Sequence, residues 1–187
     1  MKVLRKKRVS ALLFLAIILI LFYNNTWIGR FIYPIHYRSE IEEASKANDL
    51  DPLFVAAVIR VESNYQVNSK SSKGALGIMQ IMPDTASWLL SKDNVLRKDL
   101  AKDLNDPDVN IRLGARYLQY LNQRFEYNHL VVAASYNAGH GKVSGWLKDQ
   151  IWDGTMENVN QIPIMETRKY VKSVHYYYEK YTQVYRK

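Results

Sequence analysis

Glu62 follows the apolar run Leu53-Phe54-Val55-Ala56-Ala57-Val58-Ile59 and precedes a polar stretch that ends in Gly74-Ala75-Leu76-Gly77-Ile78-Met79-Gln80. Asp51-Pro52 opens the run, an N-cap acid followed by a proline suited to the first helical position. The pattern predicts a helix that is apolar on nearly every side and lies in a core, with Glu62 in its last turn. Burial and the negative end of the helix dipole both disfavour a carboxylate there, so the pKa of Glu62 is expected to rise. A carboxyl that keeps its proton near neutral pH has the property a general acid needs. Most glutamates at helix ends are simply solvated. The glycine-punctuated loop after this one is what favours chemistry.

Three further segments join it. The Gly74 to Gln80 stretch continues into Ile81-Met82-Pro83-Asp84-Thr85-Ala86, followed by Ala134-Ser135-Tyr136-Asn137-Ala138-Gly139-His140-Gly141-Lys142-Val143 and by Glu166-Thr167-Arg168-Lys169-Tyr170-Val171. In this order and spacing the chain resembles the catalytic domain of the soluble-type lytic transglycosylases, enzymes of bacterial cell-wall turnover. Four linked motifs over residues 39 to 187 carry the resemblance. Two small departures are Ile78, where Leu is common, and Ser135, where Ala is frequent.

The resemblance implies an almost all-α, goose-type lysozyme-like domain that acts on peptidoglycan without a metal or organic cofactor. The bond cut is the β-1,4 link between N-acetylmuramic acid and N-acetylglucosamine. Glycoside cleavage usually takes two carboxyl groups, but only Glu62 has motif support, and Asp84, Asp149 and Asp153 are weak candidates for a partner. The family instead works with one glutamate, the substrate's own acetamido group assists at the anomeric carbon, and a 1,6-anhydro product forms. Ser71 matches the serine that holds the acetamido group, with Ser69 and Ser72 as alternatives. Gly77 is expected to bring backbone close to the sugar, and Met79 and Gln80 to line the cleft floor, with core packing the competing role for Met79. Tyr136 matches a tyrosine near the catalytic carboxyl, and its hydroxyl has Glu62 as a candidate partner. Asn137 either holds the loop or touches ligand, and Glu166 is either a loop-holding residue or a second acid. A muramidase using the same Glu62, or a non-catalytic glycan-binding module of an envelope machine, are the alternative functions.

The elements that must position these residues read as helices. Ser39 with Glu42 suggests a capping box at the start of the domain. Pro83 fits the first turn of one helix, and Asp106-Pro107 opens another whose Ile111, Ala115, Leu118, Leu121 and Phe125 form one apolar face. A helix is predicted from about 129 to 138, stopped by Gly139 or Gly141, and a final one from 164 to 185. Strand-like alternation is weak throughout.

The 187 residues, 48% hydrophobic, suit one domain plus a short extra segment. That segment is N-terminal: Lys2, Arg5, Lys6, Lys7 and Arg8 precede fifteen uncharged residues, Val9 to Tyr23, without small residues at a cleavage site. Residues 1–28 are therefore expected to form a retained transmembrane signal-anchor, with Tyr23 and Trp27 in the interfacial belt, 29–38 a stalk, and 39–187 the catalytic domain outside the membrane. Of the net charge of +8, only +3 remains once those five cations are set aside, so the basic balance reads as topology, not nucleic-acid binding. Cysteine is absent, which excludes disulfides and thiol nucleophiles. His36, His129, His140 and His175 show no metal-ligand spacing.

Overall fold

The computed structural model describes residues 2–23, 26–92 and 103–186, and these are almost entirely helical. The domain is built on α3 (Arg38–Ala47), α4 (Pro52–Ser63), α5 (Pro83–Lys92), α6 (Pro107–Arg124), α7 (His129–Ala138), α8 (His140–Lys148) and α9 (Met165–Tyr185). They follow α1 (Lys2–Tyr23) and α2 (Thr26–Ile32). The strand-like pairing among the described residues is confined to isolated bridges at Lys70, Leu76 and Ile81.

The apolar run becomes the central helix. The Asp51 carboxylate accepts from the Leu53 amide at 3.0 Å, Pro52 occupies the first turn, and every residue from Phe54 to Ile59 is buried. A helix apolar all round needs partners on all sides. α9 lies along α4 and α7, and α3 packs against α4 and α6. Asp51 also ties the two long elements together, because the Tyr178 hydroxyl donates to it at 2.6 Å and Arg186 pairs with it. α6 begins at its Asp106 cap and buries Val109, Ile111, Leu113, Leu118 and Leu121. α7 runs between Asn128, which caps its first amides, and Gly139 at φ 88°.

The entry to α3 differs from the capping box expected at Ser39. Tyr37, in the left-handed region at φ 53°, is the N-cap, and Ser39 lies inside the helix with its hydroxyl donating to Glu40 at 2.7 Å. Residues 29–38, read as a stalk, pack along the domain. Gly29 sits against Val184, the Tyr33 and Tyr176 hydroxyls are 2.9 Å apart, and the Tyr185 hydroxyl donates to the Tyr33 carbonyl at 2.9 Å.

α1 is a 22-residue helix with strongly exposed Leu12 and Phe14. Among the described residues no helix is long and apolar enough to cross a membrane, and the transmembrane helix of the sequence reading is unsupported on that count. The physical reason is length: the uncharged run from Val9 to Tyr23 extends only about 22 Å as a helix, against a hydrocarbon core of about 30 Å. The side chains of Tyr23 and Trp27, expected in the interfacial belt, lie outside the described residues.

Candidate active site

Glu62 sits in the last turn of α4, whose end is fixed by Asn64 in the left-handed conformation at φ 52°. The residue is only partly accessible, and the Tyr170 hydroxyl, from the buried face of α9, donates to its Oε1 at 2.6 Å. Loss of hydration pushes the Glu62 pKa up from 4.5 to about 7. The Tyr170 bond opposes this rise by stabilising the anion, and the negative charge of Glu166 adds to it. Near neutral pH the carboxyl is therefore close to half protonated, able to give a proton and to take one back.

The loop after α4 is folded by its own hydrogen bonds. The Ser71 amide donates to the Ala75 carbonyl at 3.0 Å, and the Ala75 amide returns a bond to the Ser71 hydroxyl at 3.0 Å. Leu76 and Ile81 exchange backbone bonds of 3.0 and 2.9 Å around a tight turn in which Gly77 and Gln80 both have positive φ. The Gln80 side-chain nitrogen is spent inside the loop, donating to the carbonyls of Ser69 and Gly77. Two clamps seat the loop on the helices. The Ser63 hydroxyl donates to the Ile78 carbonyl at 2.6 Å. Asn110, fully buried on α6, donates to the carbonyls of Leu76 and Leu104 and accepts from the Met79 amide at 2.7 Å.

Several sequence expectations change on this geometry. The open side of Gly77 faces Asn110 and Leu104, which a Cβ would strike, so the glycine serves the loop's seat on α6 and not an approach to sugar. Met79 is completely buried against Gly114, and its side chain is core. The Tyr136 hydroxyl donates to the Met79 carbonyl at 2.9 Å, not to Glu62, although the tyrosine is close enough that the Glu62 charge adds to the burial that raises its own pKa. The hydroxyl partner of Glu62 is Tyr170, which the sequence reading left among the packing tyrosines. Its signal was available: it shares the spacing of Thr167, Val171 and Val174 on the buried face of α9, and a buried hydroxyl needs a partner. Asn110 was missed as well, though an Asn on the apolar face of α6 is conspicuous for the same reason.

The remaining residues divide between rim and scaffold. Asn137 accepts from the Thr167 hydroxyl at 2.7 Å, tying the end of α7 to the start of α9. Glu166, exposed in the first turn of α9, lies 3.4 Å from Lys73 of the loop, an ion pair worth little in water but one that spans loop and helix. Asp84 and Asp149 are exposed. Asp153 organises its own loop, accepting from Thr155 and Asn158, bonds that hold its pKa below the usual range. Among the described residues no cluster of His, Asp or Glu is arranged to hold a metal.

With the geometry in place, the family can be stated. Residues 39–159 match the model of the transglycosylase SLT domain. The chain belongs to this family. It is 35% identical over 143 residues to the soluble lytic murein transglycosylase of Escherichia coli K12, a match that takes in 76% of this chain and 22% of that protein. It is 32% identical over 146 residues to the membrane-bound lytic murein transglycosylase F of Shewanella loihica, covering 71% and 28%. Among solved structures, an inactive variant of the lytic transglycosylase Slt from Pseudomonas aeruginosa superposes with a TM-score of 0.73 at 36% identity, over 82% of this chain and 25% of that one. The 70-kDa soluble lytic transglycosylase bound to bulgecin A gives 0.72 at 32% identity, over 83% and 25%. The fold is thus the almost all-helical, lysozyme-like SLT fold. The chain spans about a quarter of the length of these soluble relatives.

The Tyr170 bond makes a pH prediction. Because it lowers the Glu62 pKa, Tyr170→Phe is expected to raise that pKa further above 7 and to move the alkaline limb of the kcat/KM profile to higher pH. A loss of rate with the limb unmoved contradicts this role.

Proposed function

We propose that this protein is a peptidoglycan lytic transglycosylase that cuts the β-1,4 bond between N-acetylmuramic acid and N-acetylglucosamine and leaves a 1,6-anhydromuramoyl end. The observation that carries the reading is a single buried carboxyl, Glu62, poised near pKa 7 inside an SLT domain. Glu62 as the acid gives its proton to the glycosidic oxygen, and the N-acetylglucosamine leaves as an alcohol. The acetamido carbonyl oxygen of the muramic residue closes on C1 as that bond breaks. The Glu62 carboxylate then takes the proton of the C6 hydroxyl while the C6 oxygen attacks C1 and releases the acetamido group. The proton count of the enzyme is unchanged and no water is consumed.

The surrounding groups support these steps. The Ser71 hydroxyl accepts from the Ala75 amide, which leaves its own proton to donate to an acetamido carbonyl. Tyr170 steadies the carboxylate between the two proton transfers, and Tyr136 holds the Met79 carbonyl beside it. The Glu166 charge favours the protonated starting state. The expected result is that Glu62→Gln keeps the fold and glycan binding but loses at least ~10² in turnover, while the parent yields anhydro-muropeptides. Reducing-end muropeptides as the main product point to a muramidase instead, and near-parental cutting by Glu62→Gln removes Glu62 from the chemistry.

We also propose attachment of the protein to the membrane through α1, with the catalytic domain on the extracytoplasmic side. Lys6 and Lys7 stand before a helix with eight exposed large apolar residues, from Val9 to Ile20, and such a face seeks lipid while the cationic end stays in the cytoplasm. Full-length protein is expected in the membrane fraction, with its domain digested by protease added to intact spheroplasts. Recovery as a soluble species after lysis contradicts the attachment.

A further inference from the structure

A band of aromatic rings leads away from the catalytic carboxyl. It starts at Tyr136, whose ring lies 5.4 Å from that of Tyr117, and Tyr117 stacks on Tyr120 one helical turn along α6 at 6.3 Å and 12°. Tyr120 is met edge-on by Trp88 of α5 at 4.8 Å and by His140 of α8 at 5.5 Å. All five rings are only partly buried. Burial and the charge of Arg124 hold the His140 pKa below its ordinary value, so near neutral pH it is an uncharged ring.

Packing alone does not account for the band. Among the described residues the Trp88 indole N–H and the hydroxyls of Tyr117 and Tyr120 have no hydrogen-bond partner. Burial pushes the Tyr117 pKa up to about 12, so its hydroxyl keeps its proton at any physiological pH. Tyr and Trp enclosed in a core normally find partners for these groups. Rings with apolar faces and open polar tips suit a pyranose chain, which offers C–H faces to stack and hydroxyls to bond. Continuity with Tyr136, beside Glu62, decides which saccharide this is: the part of the same strand that extends beyond the cleaved bond.

We propose that Trp88, Tyr120 and His140 form an outer glycan subsite that makes the enzyme prefer long strands over short ones. The proposal rests on the reading of the chain as a glycan-cutting enzyme. It assigns the three residues to substrate binding at a distance from the chemistry, and it gives them a length-dependent effect that a purely structural role does not produce.

The test compares full-length parent, Trp88→Ala and Tyr120→Ala on glycan strands freed of stem peptides, using long strands and the shortest strands cut. Each alanine variant is expected to lower the ratio of kcat/KM between long and shortest strands by about tenfold, the size of one lost aromatic stacking contact. Trp88→Phe and Tyr120→Phe should recover most of that ratio and guard against misfolding. In Glu62→Gln protein the Trp88 indole N–H resonance should shift with long strands and not with a disaccharide. Equal losses at both lengths, or a Trp88 resonance unmoved by long strands, overturn the subsite. A parent that cuts no strands at all counts against the proposed activity, and the Trp88 titration then decides the subsite by itself.

Discussion

A carboxyl group at the end of an apolar helix is short of water, and much of this structure can be read as the consequence. Hydrating Glu62 fully would expose the end of α4, while leaving it ionised and unpartnered there would cost several kcal/mol. The fold takes a middle course. It lets the group keep its proton up to about pH 7 and supplies one strong donor, Tyr170, for the moments when the proton is gone. The same balance gives a sign to stability. Since the folded pKa lies above the unfolded value of 4.5, the full contribution of Glu62 is present below about pH 4.5 and is lost as pH rises through about 7. A site selected for stability alone would not place an acid here.

The second requirement is that the sugar-facing loop not wander. A loop of this length has many conformations to lose, and here the loss is covered by bonds that leave few backbone groups unpaired. Asn110 serves three backbone groups at once, and Ser63 joins the loop to the residue next to the catalytic acid. Tyr136 completes the seat at the Met79 carbonyl. Loop, α4, α6 and α7 are thereby fixed relative to one another, which is what preorganised catalysis demands of a site partly built from a loop.

Local signals carried much of this architecture into the sequence. Asp51-Pro52 and Asp106-Pro107 marked two helix starts because capping and proline chemistry are set by neighbours a few residues away. Gly139 marked the end of α7 for the same reason. The apolar run identified the central helix, and its end identified Glu62. What stayed hidden was set by distance along the chain. Tyr170 meets Glu62 across 108 residues, and periodicity places it on a buried face without saying what it faces there. The roles read for Gly77 and Met79 failed similarly, since the space beside each is filled by α6 residues. At Tyr37 the chain turns through a left-handed conformation that a bulky aromatic seldom adopts, so the Ser39 signal was the more ordinary one to follow.

The central claim is that burial, tempered by one tyrosine, holds the Glu62 carboxyl protonated near neutral pH. Its most direct test is a carbon-13 NMR titration of the Glu62 side-chain carboxyl in the full-length protein, assigned by comparison with Glu62→Gln. The account predicts a midpoint at about 7. A midpoint at the ordinary glutamate value of about 4.3 contradicts it.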